Sequence, residues 1–330
     1  MADLPDFDAL RGRHLGLIGV ISMGDMGSGV ARLLMAHNYA VLTNVSDRSE
    51  DTKSRALSAG AVLLPSDELL VNHSDLILSI VPPAEAYSTA ERVVKAWDRK
   101  ETELVYADLN AVSPSTLLSI SSLFTGVKFI DGSILGGPPS FVDGSWTKPI
   151  IPTSGPFSLS DIFPGLGEVL GEKQISPELG QASGLKMVFA SLSKGYAAVA
   201  LQSVTTAHQL GVLPELLESV NELQGEAAGK KLEQAVTGLA PKAGRWVREM
   251  EEIGKTHREN GNWEEWEGIF EAAAKVYELV AKGTVLGGER IGKRERGTTV
   301  EGVAEAVGRG WGGGRRRRNE RGRCDMGEWT

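Results

Sequence analysis

The stretch from residue 15 to residue 35 constrains the fold of this chain more than any other. The apolar run LGLIGV at 15–20 is followed by ISMGDMGSG at 21–29 and by a second apolar run, VARLLM, at 30–35. The first run is typical of a buried strand, and the glycines favour a tight turn into a helix that begins near Gly27. A strand, a glycine turn and a helix in this order are typical of doubly wound α/β folds.

The same alternation continues through about the first 135 residues. We predict strands near 14–21, 39–45, 61–64, 75–83, 103–110 and 127–135. Helical patterns lie between them, near 27–36, 54–57, 84–97 and 114–124. Strands that are almost continuously apolar and separated by helices indicate a mostly parallel sheet with both faces covered.

The second half of the chain has a different character. Glycine and proline cluster around 135–180, where a strand is predicted near 148–153, and a long helical pattern then covers 179–212. Further helical spacing follows. We therefore predict an α/β Rossmann domain over 1–178 and an all-α domain over 179–307, joined by the long helix. The glycine- and arginine-rich residues 308–330 have no periodicity, which predicts a disordered tail.

Composition excludes several classes of protein. The formal net charge of −8 argues against a general nucleic-acid binder. No run of about 18 apolar residues is present, so we expect no membrane span, and a single cysteine, Cys324, fits a reducing compartment. The N-terminal residues lack the apolar core of a secretory signal. We expect a soluble cytoplasmic protein, and the five scattered histidines give no metal-ligand spacing.

The glycine turn is close to the G-x-G-x-x-G pattern that binds a dinucleotide pyrophosphate. Gly24 and Gly27 fill its second and third positions, while Ser22 stands at the first. A helix that starts here offers free amides and a positive dipole end to an anion. The predicted pyrophosphate-binding residues are Ser22, Met23, Gly24, Asp25, Met26 and Gly27.

Asp47, Arg48 and Ser49 follow the second predicted strand, about 20 residues after the last glycine of the turn, where the adenosine ribose is recognised. An aspartate there pairs with ribose hydroxyls and repels a 2′-phosphate, whereas Arg48 and Ser49 favour that phosphate. Both NAD and NADP stay open as cofactors, with a small preference for NADP.

With these residues the chain resembles the β-hydroxyacid dehydrogenase superfamily, which includes 3-hydroxyisobutyrate and 6-phosphogluconate dehydrogenases. The resemblance covers about 14–300, and the C-terminal half is similar to a branch with a phosphogluconate-dehydrogenase-like helical domain. Its further motifs are the proline turn Val81-Pro82-Pro83 and a strand end at Asp108-Leu109-Asn110. The resemblance implies an NAD(P)-dependent oxidoreductase, with the proline turn and Asn110 also contacting the cofactor.

The resemblance further implies a substrate site and a catalytic residue. The family's Asp-Ala-Pro-Val-Ser-Gly-Gly motif reads DGSILGG at 131–137 here, which assigns Ser133, Gly136 and Gly137 to the substrate. Lys186 matches the family's catalytic lysine, an acid/base whose apolar neighbours predict burial. Two family residues are replaced, the motif serine by Leu135 and a helix asparagine by Ala190. Ser193, two helical turns after Lys186, is the candidate replacement for that asparagine.

Three functions remain open at this stage. The first is hydride transfer between nicotinamide and a small hydroxy acid or its carbonyl counterpart. The second is an imine or ketone reductase, which the changes at Leu135 and Ala190 favour. The third is a nucleotide-binding scaffold without turnover. The helical half also implies a homodimer, because it is the half that packs against a partner in the family.

Overall fold

The computed structural model describes residues 4–98, 103–263 and 268–321. The chain divides into two compact units, Met1–Met187 and Val188–Thr330. The described strands are β1 Leu17–Ile21, β2 Ala40–Thr43, β3 Val62–Leu63, β4 Leu76–Ser79, β5 Val105–Asp108, β6 Lys128–Gly132, β7 Ser140–Val142, β8 Ser145–Thr147, β9 Ile151–Ser154 and β10 Glu172–Ser176.

The described helices begin with eight that lie entirely in the first unit. These are α1 Phe7–Arg13, α2 Asp25–Ala36, α3 Glu50–Ser58, α4 Asp67–His73, α5 Ala86–Ala96, α6 Pro114–Ser121, α7 Leu159–Ile162 and α8 Leu166–Leu170. The others are α9 Gln181–Leu210, α10 Leu213–Gln224, α11 Glu226–Thr237, α12 Ala243–Gly261, α13 Ile269–Gly283 and α14 Val300–Arg321. A short 3-10 turn, Pro83–Glu85, precedes α5.

The first unit is built on an eight-stranded sheet with the order β10-β9-β6-β5-β4-β1-β2-β3. β1 pairs in parallel with both β2 and β4, through Leu17 opposite Ala40 and Ile18 opposite Leu76. β6 and β9 pair antiparallel, and every other described pair in this sheet is parallel. The doubly wound, mostly parallel sheet predicted from the sequence is confirmed.

Alternate residues of the central strand serve the two faces of the sheet. Ile18 and Val20 lie in a buried cluster with side chains of α2 and α8. Leu17 lies in the cluster on the opposite face, with side chains of α4, α5 and α6. Both faces are covered, so neither set of side chains meets water. This is why the strand reads as a continuous apolar run rather than as an alternation.

Several elements are absent from the predictions made from the sequence. α1, α4 and α8 are each seven residues or shorter, too short for a clear helical period. β10 has an exposed, polar middle because it lies at the edge of the sheet. The β7–β8 hairpin forms a separate two-stranded sheet.

The second unit is helical, and α9 connects it to the first. The division between the compact units falls within α9, between Met187 and Val188, whereas composition places the boundary before this helix, at residue 178. α14 continues to Arg321 and so includes the first part of the segment predicted to be disordered. Residues 322–330 lie outside the described residues. In the described part of the chain, no helix is both long and apolar enough to cross a membrane.

Candidate functional site

The chain between β1 and α2 reverses at Ser22, the residue that replaces the first glycine of the motif. Ser22 has a φ angle of 81°, in the left-handed region that residues with a side chain rarely adopt. The turn therefore keeps the backbone conformation of a glycine although the residue is serine. Holding a non-glycine residue there costs about 1–2 kcal/mol.

Gly27 lies directly against this turn. A Cβ atom on Gly27 would be 1.9 Å from the carbonyl oxygen of Ser22, so no side chain fits at this position. The first turn of α2 can approach the end of β1 closely only because residue 27 is glycine. This is the packing role of the third glycine in the dinucleotide motif.

The N-terminus of α2 is open toward the space in front of the turn. Gly24 caps the helix without a side-chain hydrogen bond, and a Cβ there would meet only the Ser22 hydroxyl, at 3.9 Å. Asp25 and Met26 are the first residues of the helix, and their amides have no acceptor within it. Such an end binds anions, and a dinucleotide pyrophosphate therefore fits this cradle.

A cavity beside the turn is bordered by three arginines from different elements. Arg48 follows β2, Arg55 lies on α3 and Arg92 lies on α5. The other residues that line this cavity are Ile21, Ser22, Met23, Gly24, Asn44, Val45, Thr52, Val81, Pro82 and Glu85. The glycine turn and the proline turn, far apart in sequence, thus border one space.

Contacts within the first unit hold these arginines in place. Arg55 donates from Nε to the Met23 carbonyl at 3.2 Å and from a terminal nitrogen to the Thr52 hydroxyl at 3.0 Å. Arg92 forms a 2.8 Å ion pair with Asp67. Arg55 therefore fastens α3 to the glycine turn itself.

Of the three residues predicted to recognise the ribose, Arg48 borders the cavity. Its guanidinium lies 3.4 Å from the carboxylates of both Asp47 and Glu85. Asp47 is well exposed, with 62% of its side chain accessible. Ser49 caps α3, where its hydroxyl accepts a hydrogen bond from the Thr52 amide at 3.4 Å. Asp47 and Ser49 are not among the described residues that line the cavity.

Asn110 holds the proline turn in place through hydrogen bonds. Its Oδ1 accepts a hydrogen bond from the Val81 amide at 2.7 Å, and its Nδ2 donates to the Ser79 hydroxyl and to Asp108, each at 3.0 Å. Asn110 is buried, as is Asp108. Val81 and Pro82 border the cavity, whereas Pro83 begins the 3-10 turn. Asn110 fixes the position of this turn.

Asp108 has an unusual protonation equilibrium. Burial and, to a smaller extent, the nearby charge of Asp131 raise its pKa to about 7, against the opposing hydrogen bonds from Asn110. The group beneath the proline turn therefore titrates near neutral pH.

Asp131 holds the start of α9. This buried carboxylate accepts hydrogen bonds from the hydroxyls of Ser154 at 2.6 Å and Ser183 at 2.7 Å. It also accepts from the amides of Gly180 at 2.8 Å, Ala182 at 3.2 Å and Ser183 at 3.3 Å. These are the amides that a helix N-terminus otherwise leaves unpaired. β6, β9 and α9 are thus joined at one residue.

Lys186 lies at the second turn of α9, and its Nζ donates a 2.7 Å hydrogen bond to the Ile134 carbonyl. The Ser133 hydroxyl, buried one residue earlier, donates to the Ala182 carbonyl at 2.9 Å. The structure therefore brings the predicted catalytic lysine onto the predicted substrate segment. Ser133 itself is buried and serves the packing of α9.

The neighbours of Lys186 are more exposed than the sequence predicts. Met187 is buried, but Leu185, Val188 and Phe189 are 38%, 44% and 51% exposed. Lys186 itself is half-buried. The reason is that only one side of α9 packs at this point, so apolar composition alone is a poor measure of burial on this helix.

The two glycines of the substrate motif are exposed, and Gly136 has a φ angle of 130° that favours glycine. A Cβ on Gly137 would meet nothing within 4 Å. Leu135, in place of the family's serine, forms a β-bridge with Ile150 through two backbone hydrogen bonds, of 2.8 and 3.0 Å. The backbone of this segment is therefore held in place while its glycines face open space.

Ser193 is exposed, and its hydroxyl donates to the Ala190 carbonyl of its own helix at 3.2 Å. Ala190 is buried. Ser193 belongs to the second unit and Lys186 to the first. In the described residues no group of three or more histidine, cysteine or acidic side chains could hold a metal ion.

Sequence reasoning missed several residues at the cavity, among them Asn44, Arg55 and Arg92. Asn44 directly follows β2 and donates to Asp67 at 2.8 Å, the same carboxylate that binds Arg92. Arg55 and Arg92 lie on helices, and from the sequence alone an arginine on such a helix is expected to be exposed to solvent. Only the pairing of β1 with β2 and β4 brings these helices to the turn, and that pairing has no local signal.

Comparisons with known proteins find similarity for a segment in each half of the chain. Residues 17–104 match the family described as NADP oxidoreductase coenzyme F420-dependent, and residues 207–280 match a domain of unknown function, DUF1932. An uncharacterised 28.5 kDa protein of Methanothermus fervidus is 29% identical over 238 residues, which cover 72% of this chain and 89% of that protein.

Solved structures share the fold. Psf3 in complex with NADP⁺ and 2-OPP has a TM-score of 0.61 at 19% identity, over 87% of this chain and 99% of that one. The 3-hydroxyisobutyrate dehydrogenase of Mycobacterium tuberculosis, solved with L-serine, has a TM-score of 0.59 at 13% identity, over 88% and 99% of the two chains.

Fold and site together define a two-unit protein with the β-hydroxyacid dehydrogenase fold. More particularly, residues 17–104 are similar to the NADP oxidoreductase coenzyme F420-dependent family, and residues 207–280 are similar to DUF1932.

Proposed function

We propose that this protein is an NADP(H)-dependent oxidoreductase that interconverts a small hydroxy acid and its carbonyl counterpart. The observation that carries the proposal is the hydrogen bond from Lys186 to Ile134, which holds a cationic side chain beside the exposed glycines Gly136 and Gly137. A base or acid and an anion-binding backbone are what this reaction requires.

The chain's own residues have three tasks in this reaction. Nicotinamide, when bound, exchanges the hydride with the substrate carbon. Lys186 accepts the hydroxyl proton in oxidation and returns it to the forming alkoxide in reduction. The amides of Gly136 and Gly137 hold the substrate carboxylate. Asp131 fixes the first turn of α9 and thereby the position from which Lys186 extends.

A substitution of Lys186 tests this role. We expect Lys186→Met to lower kcat by about 10²–10⁴-fold, the usual contribution of acid/base catalysis, with the affinity for NADPH unchanged. Lys128→Met is the matched control, because Lys128 is an exposed lysine of β6. Turnover should be measured with hydroxy acids, ketones and imines. NADPH binding without turnover of any of them contradicts the enzyme and favours a nucleotide-binding scaffold.

We infer a preference for NADP over NAD from the arginines at the cavity. Arg48 and Arg55 come from the segment after β2, where a 2′-phosphate is recognised. Asp47, the residue that would repel this phosphate, is exposed and lies beside Arg48. Arginine forms paired hydrogen bonds with phosphate, which favours the phosphorylated cofactor.

Fluorescence titration with NADPH and NADH tests the preference. We expect NADPH to bind at least about tenfold more tightly, and Arg48→Ala to remove most of that difference. Arg32→Ala, an exposed arginine on α2, is the control. Equal affinities for the two cofactors contradict the NADP assignment, and no binding of either contradicts the cofactor site.

We also propose that the protein forms a homodimer. In the second unit α9 carries exposed apolar side chains at helical spacing, with Phe189 at 51%, Leu192 at 76% and Val199 at 62% exposure. An apolar row of this kind marks a surface that another chain covers. Light scattering should give twice the 35.3 kDa mass of one chain. Leu192→Glu should shift the protein toward monomer, and a monomeric wild type contradicts the proposal.

A further inference from the structure

An ion pair joins two sides of the cavity beside the glycine turn. Arg48 follows β2, and Glu85 ends the 3-10 turn that follows β4. A terminal nitrogen of Arg48 donates to the Glu85 carboxylate at 3.4 Å, and both residues border the cavity. Because β1 lies between β2 and β4 in the sheet, the pair bridges the carboxyl end of β1, where the glycine turn begins.

The backbone of Glu85 is fixed, which keeps its carboxylate within reach of the cavity. The Glu85 amide donates to the Pro82 carbonyl at 2.8 Å, and the Glu85 carbonyl accepts from the Ser88 hydroxyl at 3.2 Å. Among the described residues that line the cavity, Glu85 is the one acid, beside three arginines. It therefore places a negative charge where the proposed cofactor brings its phosphates.

Arg48 is shared by two carboxylates. Asp47 lies 3.4 Å from the Arg48 Nε and is not among the described residues that line the cavity. Glu85 does line the cavity, and it holds a terminal nitrogen of the same guanidinium. Arginine binds phosphate through two parallel N–H donors, so a carboxylate on a terminal nitrogen occupies a donor that the phosphate needs. Glu85 therefore competes with a phosphate for Arg48.

The pair is weak enough for a phosphate to displace it. Both side chains are 43% exposed, and exposed ion pairs contribute little because water screens them. The cavity has a volume of about 160 Å³, smaller than the about 300–1,000 Å³ of sites that enclose a small ligand. Separation of Arg48 from Glu85 would widen this space as well as free the guanidinium.

We propose that Glu85 is a specificity-determining residue, which lowers the affinity for NADP(H) by competing with the 2′-phosphate for Arg48. This inference rests on the NADP(H) dependence proposed above. NADH has no 2′-phosphate and does not require the pair to separate, so Glu85 acts on one cofactor and not on the other. Glu85 thereby limits the preference that Arg48 creates.

Fluorescence titration of Glu85→Gln with NADPH and NADH tests this role. We expect NADPH to bind at least about threefold more tightly than it binds the wild type, and the NADH affinity to change by less than about twofold. Glu91→Gln, an exposed glutamate of α5 outside the described lining, is the matched control and should change neither affinity. A purely structural role for Glu85 predicts the opposite result, weaker binding of both cofactors.

The same substitution in an Arg48→Ala background shows whether Glu85 acts through Arg48. There Glu85→Gln should leave the NADPH affinity unchanged, because no guanidinium is left to compete for. An equal gain with and without Arg48 overturns the proposal, as does an unchanged ratio of NADPH to NADH affinity in Glu85→Gln, and both results leave the cofactor site standing. No binding of either cofactor to the wild type overturns the cofactor site, and this inference with it.

Discussion

At the scale of single residues, the turn between β1 and α2 depends on a serine in a conformation that suits glycine. The motif spacing predicts a tight turn at this point, and the structure has one. The positive φ angle of Ser22 has no signal in the sequence, because serine ordinarily avoids it. Gly27 permits this turn, because its missing side chain lets the first turn of α2 approach the Ser22 carbonyl closely.

Replacing this serine should therefore stabilise the protein. We expect Ser22→Gly to raise the free energy of unfolding by about 1 kcal/mol, because glycine adopts a positive φ without strain and the gain outweighs its greater freedom in the unfolded chain. Urea unfolding of the two proteins side by side measures the change.

Ser28→Gly is the matched control for that measurement. Ser28 is buried inside α2, where glycine lowers helix stability by about 0.5–1 kcal/mol. The two serine-to-glycine changes, six positions apart, should therefore have opposite signs. A loss of stability in Ser22→Gly would show that the serine is not strained.

At the scale of elements, the central strands and α9 follow from local patterns. The six strands predicted over the first 135 residues and the long helical run at 179–212 are visible because burial sets their periodicity. The antiparallel pairing of β6 with β9 is not visible, because it depends on contacts between Asp131 and Ser154, which no local pattern links. The role of Asp131 escaped sequence reasoning for the same reason, since its donors lie 23 to 52 positions away.

Asp131 should be among the costliest carboxylates to remove. Asp131→Ala leaves the amides of Gly180 and Ser183 without their buried acceptor, and leaves Ala182 only the Ser154 hydroxyl. We therefore expect a loss of more than about 2 kcal/mol and faster hydrogen exchange in the first turn of α9. Hydrogen exchange followed by mass spectrometry measures this locally.

Asp161→Ala is the comparison, because Asp161 caps the short α7 at the surface. Its loss should cost less than half as much and leave α9 unaffected. Equal effects of the two substitutions would mean that Asp131 contributes no more than an ordinary surface cap.

At the scale of the whole molecule, the sequence correctly predicts the order of an α/β region and a helical region. The sequence does not predict which residues from distant segments come together at the cavity. Arg92 and Asn110 reach the cavity region only after β1, β4 and β5 have paired. A site assembled across a sheet is a property of topology, whereas a glycine turn is a property of nine consecutive residues.

The stability of the molecule should depend on pH through Asp108. Its folded pKa, about 7, is above the ordinary value of 3.8, so the folded state binds more protons than the unfolded state between these two values. The stability that this group contributes is therefore complete below about pH 4 and is lost as the pH rises to about 7. Asp131, with its pKa also raised by burial, acts in the same direction.

Unfolding free energies of the wild type and of Asp108→Asn, measured between pH 5 and pH 8, test this dependence. Asparagine does not titrate, so the difference in stability between variant and wild type should shift in favour of the variant with rising pH and level off above about pH 7. The test compares how the unfolding free energy of each protein changes with pH, and not the absolute values, because the variant also changes the hydrogen bonds to Asn110. Parallel curves would contradict a raised pKa for Asp108.

Gly29, on the first turns of α2, meets the loop that follows the substrate segment. A Cβ there would lie 3.0 Å from a ring atom of Pro139 and 3.1 Å from one of Pro138, tighter than most real contacts. The helix that would hold the pyrophosphate and the loop next to Gly137 therefore share one boundary. In evolutionary terms, we expect position 29 and the proline pair at 138 and 139 to change together. A relative with a larger residue at 29 should also have lost a proline at 138 or 139.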